Sequence, residues 1–193
     1  KINTGLRNIS ALVFVLISFI SAACALPAAL NSTPLVSSLE LPLGFSFSYY
    51  GDALAVFMAM TSSLVAAIIV FYSFGYIEKY PNQNEYYSMV LLFIGSMMGL
   101  VFSTNLIFIY TYWEISAICC WRLIGFYRKE DTVIKANKAY LITVGGAIFM
   151  LAGFIGIYIQ TGTFDLLALQ GQGLDSWIVI LILFGILSKS ATL

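Results

Sequence analysis

Residues 110–126 read YTYWEISAICCWRLIGF, an apolar, aromatic-rich run that carries Glu114 near its middle and Arg122 near its end. Read as a membrane helix, the run sets a carboxylate in hydrocarbon. On insertion scales that costs on the order of 2.5 to 3.5 kcal/mol unless the charge faces a partner or water. The composition decides for the membrane: of 193 residues, 61% are hydrophobic and 9% charged, against roughly 25% charged in an average soluble domain. So few ionisable groups cannot clothe a soluble core, whereas lipid accepts apolar side chains on every outer face.

A helix needs about 20 apolar residues to cross roughly 30 Å of hydrocarbon. Working outward from residue 110, six segments satisfy this, near 9–30, 52–76, 87–104, 106–126, 139–159 and from 176 to the end. The expected fold class is therefore an all-α polytopic membrane protein with about six transmembrane helices. The chain starts at Lys1 rather than Met and its last apolar run is unfinished at Leu193, so an internal fragment of a longer protein, cut at both ends, is expected. Two regions are expected, a first helix with a short hairpin over 1–51 and a helical bundle over 52–193.

Alternating the spans across the bilayer sorts the loop charges. Lys1, Arg7, Lys79, Arg128, Lys129, Lys135 and Lys138 fall on one face, while Glu40, Asp165 and Asp175 fall on the other, which has no Lys or Arg. The positive-inside rule makes the basic loops cytoplasmic, or matrix-facing in an organelle. A cleavable signal peptide is the rival reading of the first span, and it leaves the orientation of the other five unchanged. Between the first two spans, SLELPLGFSFSYYG alternates Leu39, Leu41, Leu43, Phe45, Phe47 and Tyr49 with other residues. That period of two points to a hairpin on the outer face, turning near Pro42 and Gly44.

Cys24, Cys119 and Cys120 lie inside apolar runs, which suits buried thiols and no disulfide or metal framework. With no histidine in the chain, the commonest haem and metal ligand is missing, so no metal or cofactor site is expected here. The glycines of GFIGIYIQTG read as close helix packing, and no phosphate-cradling loop or nucleic-acid signature is present.

Three ionisable residues remain inside spans, Glu114, Arg122 and Lys189. Arg122 lies close enough to a helix end to reach headgroups. Glu114 and Lys189 both fall near mid-depth, and one reading of the pair is a static charge contact that fixes helix packing. A buried ion pair is often no more stabilising than an apolar replacement, which favours function as the reason to keep it. In general, desolvation lowers a lysine's proton affinity by roughly 3 to 5 pH units, and a carboxylate within about 4 to 6 Å restores roughly 1 to 3 of them. A shift of about two units is worth roughly 2.7 kcal/mol, comparable with the roughly 2.3 kcal/mol of moving one charge through 100 mV. A Glu/Lys pair therefore has the right size to act as a proton switch. Around Lys189, Gly185, Ser188, Ser190 and Thr192 suit a helix that loosens to admit water.

The segment from FYSFGYIEKYPNQNEYY through YWEISAICCWRLIGFY, followed by KANKAYLIT and LFGILSKSATL, resembles the antiporter-like subunits of respiratory complex I, membrane-bound hydrogenases, formate hydrogenlyases and Mrp-type cation antiporters. The resemblance covers about residues 50–193, most strongly at Trp113-Glu114, LIGF at 123–126 and SKSA at 188–191. It implies a roughly fourteen-helix fold of which the six spans are helices two to seven, with Glu114 and Lys189 as the proton-switching pair. Cys120, Trp121 and Arg122 depart from the family's usual residues before LIGF, so the resemblance does not decide whether Arg122 modulates the pair as a second partner for a carboxylate or only anchors the helix end at the headgroups.

The function implied is a proton-translocating subunit of a complex I-like redox-driven pump, with an Mrp-type Na+/H+ antiporter subunit as the alternative. The subunit is expected to hold no redox centre, any redox cofactors lying in partner subunits of the membrane arm. Its other partners would be the lipid bilayer and protons, or Na+, with a bacterial or archaeal plasma membrane, or an organellar inner membrane, as location. Two further classes remain open: a scaffold that has lost transport, and a haem- or quinone-binding redox protein, which the lack of histidine disfavours.

Overall fold

A computed structural model describes residues 4–31, 33–40 and 46–190. The elements run α1 (Thr4–Leu30), β1 (Leu35–Glu40), β2 (Ser46–Gly51), α2 (Ala53–Tyr76), α3 (Gln83–Phe102), α4 (Leu106–Ile124), α5 (Glu130–Thr161) and α6 (Ser176–Lys189). The first, second, third, fourth and fifth helices are long and apolar enough to cross a membrane. α6 has 14 residues, a rise of about 21 Å at 1.5 Å per residue, short of the roughly 30 Å of hydrocarbon. The protein is thus mostly helical, with five candidate spans among the described residues.

The helices start and stop where the side chains dictate. Asp52 precedes α2 with extended backbone, and its Oδ1 accepts from the Ala55 amide at 2.7 Å, satisfying a donor that the first turn leaves open. Replacing it, Asp52→Ala, is expected to cost about 1 kcal/mol, read as a lower thermal midpoint of the purified protein, while Asp52→Asn costs less than half of that. Asn105 caps α4 in the same way, its Oδ1 accepting from the Ile107 amide at 3.0 Å. Gly162 ends α5 in the left-handed region at φ 74, which glycine adopts without a Cβ penalty.

α5 starts earlier than the apolar run predicts. The stretch 130–138, expected as loop, is helical, because Glu130 and Asp131 sit in the first turn, where acidic groups favour the positive end of the helix dipole. An exposed Lys135–Asp131 pair at 2.7 Å adds a one-turn link. Hydropathy reads the depth of hydrocarbon, whereas the helix continues into the polar zone.

The hairpin strands pair as expected, β1 with β2. The turn expected at Pro42 and Gly44 lies outside the described residues, as do Leu41, Leu43 and Phe45.

The chain divides into two compact units, Lys1–Ser38 with Tyr49–Phe102, and Leu39–Ser48 with Ser103–Leu193. In the first, α1 packs on α2 and both meet α3. The buried face of α2 is a row of small residues, Ala55, Ala59, Ser63, Ala66 and Val70, while Phe57, Ile68 and Phe71 point outward. Large apolar groups outside and small ones inside is the arrangement lipid favours, because close helix approach supplies the packing that the hydrophobic effect does not. Cys24, expected to be buried, is exposed on α1, whose buried face is Ala11, Val15, Ala22 and Ala29. Arg7 of α1 donates to Asn84 at 2.7 Å and Gln83 at 2.6 Å, and its guanidinium lies 5.0 Å from the centroid of the Tyr87 ring, fastening the starts of α1 and α3.

Candidate functional site

The second unit holds every ionisable residue singled out inside the spans. Its frame is a glycine seam between α5 and α6. A Cβ on Gly153 would come within 2.6 Å of Ile182, and one on Gly156 within 2.7 Å of Trp177. One on Gly185 would meet Met150 Cβ at 2.5 Å and the Gly146 carbonyl at 2.9 Å, and one on Gly146 would overlap the Ser188 side chain. The close packing read from GFIGIYIQTG is therefore real at Gly153 and Gly156, and it extends to a second pair, Gly146 and Gly185.

α4 joins this frame through an apolar cluster of Leu106, Met150, Phe154, Ile157 and Ile178, against which Tyr110, Trp113 and Ile182 pack. Its first residues are tied to the α5–α6 connection: the Leu106 amide donates to the Phe164 carbonyl at 2.9 Å, and the Leu166 amide to the Thr104 carbonyl at 2.8 Å. With α4 and α6 both packed on α5, Lys189 of α6 is carried alongside α4.

That placement brings Lys189 to the centre of α4. Its Nζ donates to the Trp113 carbonyl at 2.9 Å and to the Ser116 hydroxyl, and it stands 4.1 Å from the centroid of the Trp113 ring. Ser116 is fully buried, and its own hydroxyl donates to the same Trp113 carbonyl at 2.7 Å. Glu114 follows Trp113 directly in the chain. Its Oε1 and the Trp113 indole nitrogen are both buried without a hydrogen-bond partner among the described residues. Glu114 and Cys120 are the titratable groups acting on Lys189, but no ion pair of 4 Å or less joins Glu114 to Lys189 among the described residues. The structure thus brings the two residues to one site and stops short of direct contact.

Arg122 stands apart from them, two turns further along α4. It is half-buried in the last turn, where a cation complements the helix dipole, with its guanidinium 5.9 Å from the Trp121 ring centroid. Trp121 in turn donates to Asn137 of α5 at 2.8 Å.

Ser116 and the double role of Trp113 are not readable from sequence. Ser63, Ser73 and Ser96 also sit in apolar helices and bond back to their own backbone. Only the approach of Lys189 sets Ser116 apart. The helix loosening expected after Lys189 falls partly on Thr192, which lies outside the described residues. Among those residues no group of three or more Cys, Asp or Glu is arranged to hold a metal ion.

A family model described as NADH:quinone oxidoreductase/Mrp antiporter, TM, matches residues 103–193, the region of this site. A second, described as NADH-Ubiquinone oxidoreductase (complex I), chain 5 N-terminus, matches residues 39–87. The Na(+)/H(+) antiporter subunit A1 of Staphylococcus haemolyticus is 33% identical over 157 residues, covering 77% of this chain and 20% of that protein. The subunit A1 of Staphylococcus epidermidis is 34% identical over the same length and shares. The chain therefore spans about a fifth of the length of these curated relatives. Among solved structures, the Mrp complex from Dietzia sp. DQ12-45-1b aligns with a TM-score of 0.75 at 24% identity, covering 97% of this chain and 24% of that one. The membrane-bound sulfane sulfur reductase, an archaeal respiratory membrane complex, aligns with a TM-score of 0.82 at 19% identity, covering 93% of this chain and 38% of that one. At those identities the structural likeness shows the fold. Together with the family models and the relatives, it leads to one assignment: the chain belongs to the antiporter-like membrane-subunit family of NADH:quinone oxidoreductase and Mrp antiporters.

Proposed function

We propose that this chain is part of a proton- and cation-translocating subunit of a multi-subunit complex in a bacterial plasma membrane, with its basic loops on the cytoplasmic side. Lys189 and Glu114 exchange the proton, and Arg122 acts at most as a modulator from the helix end. The observation that carries this reading is the lysine itself. Lys189 reaches the middle of α4, beside a carboxylate with a buried, unpaired oxygen. A charge held at such depth marks an ion path by default, and a carboxylate near a lysine alters its hold on a proton by an amount matched to the membrane potential.

Of the two forms this function can take, the staphylococcal relatives favour Na+/H+ antiport. The redox-driven pump keeps support from the description of the family model over 103–193; in that form the redox cofactors belong to partner subunits. Inverted vesicles carrying the whole complex separate the two. With a preformed acid-inside gradient, added NaCl is expected to release protons from the vesicles in the antiporter. Failure of Na+ to do so, with proton uptake on addition of an electron donor, contradicts the antiport form and supports the pump.

A further inference from the structure

We infer that Trp113 and Ser116 form a separate holding station for the charged form of Lys189, so that the lysine is loaded away from Glu114 and not on it. This rests on the reading of Lys189 as the proton carrier and adds two positioning residues to it.

The chemistry of the three contacts selects the cation. The face of an indole ring attracts an ammonium through its quadrupole and offers a neutral amine little; the Trp113 ring stands 4.1 Å from Lys189 Nζ. The Trp113 carbonyl accepts at 2.9 Å. The Ser116 oxygen accepts as well, and its own hydrogen is committed to the Trp113 carbonyl at 2.7 Å. Ser116 therefore meets the lysine as an acceptor. The chain of donors ends on a backbone carbonyl, which cannot pass a proton on, so the station retains the proton and does not conduct it.

Release requires the ammonium to leave this cradle. The groups facing it that can change charge are Glu114 and Cys120, both on α4, while α5 presents Gly146 and Met150 to α6 at this level. Glu114 has a buried oxygen without a hydrogen-bond partner among the described residues, and a swing of the Lys189 side chain to that oxygen lets the ammonium hand its proton to the carboxylate, leaving a neutral amine and a protonated carboxyl. Two alternative partners for one ammonium make a two-position switch, which a single fixed ion pair does not.

The test is the pH profile of transport by the whole complex in inverted vesicles, for wild type, Trp113→Leu, Trp113→Phe, Ser116→Ala and Lys189→Met. Without the indole the protonated lysine loses a contact worth roughly tenfold in proton affinity, about 1.4 kcal/mol. The alkaline limb of the profile is then expected to move to lower pH by about one unit in Trp113→Leu, and by less in Ser116→Ala. Trp113→Phe, which keeps a ring, is expected to restore part of the shift. A profile that stays in place in both Trp113→Leu and Ser116→Ala, with transport still abolished in Lys189→Met, overturns the station and leaves the proton-carrier reading standing. Transport that survives Lys189→Met overturns that reading, and the station with it. Should Trp113→Leu fail to assemble, Ser116→Ala decides: it removes one hydroxyl, leaves the core packing intact and carries the same prediction of sign.

Discussion

Glu114→Gln is expected to lower ion transport about a hundredfold while the complex still assembles. Glutamine keeps the volume of the side chain and removes its charge. A carboxylate near a lysine is worth about two pH units of proton affinity, or roughly 2.7 kcal/mol, and each 1.36 kcal/mol is about tenfold in rate. Without that pull, the lysine keeps its station on Trp113 and Ser116 and the cycle stalls. Transport in inverted vesicles, with assembly checked on native gels, gives the comparison. Unchanged transport in Glu114→Gln means that the carboxylate is a static feature of helix packing, as expected of a scaffold that has lost transport.

Gly146→Ala and its neighbour Gly145→Ala are expected to have opposite outcomes. A Cβ on Gly146 would overlap the Ser188 side chain, whereas one on Gly145 meets nothing within 4 Å. Ser188 Cβ is fixed to the α6 backbone, and its hydroxyl donates to the Gly185 carbonyl at 2.7 Å. The first substitution must therefore push the helices apart. Overpacking of this kind costs about 1 to 3 kcal/mol, occasionally more, and it moves the residue next to Lys189. Reduced thermal retention of the assembled complex and reduced transport are expected together. Gly145→Ala gains helix propensity, about 0.5 to 1 kcal/mol, and is expected to assemble and transport like wild type. If both variants behave alike, the α5–α6 seam does not set the position of Lys189.

Much of the helical layout was legible because hydrocarbon imposes one length. The second span, expected near 52–76, is α2 at Ala53–Tyr76, and the fourth, expected near 106–126, is α4 at Leu106–Ile124. The start of α5 was missed by about nine residues because Glu130, Asp131 and Lys135 extend a helix for dipole and charge-pair reasons that hydropathy does not measure. The hairpin was legible from a period of two, which places alternate side chains on opposite faces.

At the site, Glu114 and Lys189 stood out because an ionisable group in an apolar run carries a cost that needs a reason. Their meeting place was not legible. It depends on which faces of α4 and α6 turn toward α5, and the contacts that decide this come from Gly146, Gly185 and Met150, none of which carries a functional signature. The same holds for Ser116, a buried serine like several others until a lysine on another helix reaches it. A static ion pair was one reading of two opposite charges. The Lys189 amine is held by the carbonyl and ring of Trp113 and the hydroxyl of Ser116, the residues on either side of the carboxylate's turn.

The measurement that bears most directly on this mechanism is proton movement in inverted vesicles carrying the whole complex, wild type against Lys189→Met, with assembly and driving force matched. Methionine keeps the length and apolar stem of lysine and cannot carry a proton. Collapse of proton movement with assembly intact is the expected result. Proton movement at the wild-type rate in Lys189→Met would contradict it, reducing Lys189 to a structural charge and the site at α4 to a packing contact.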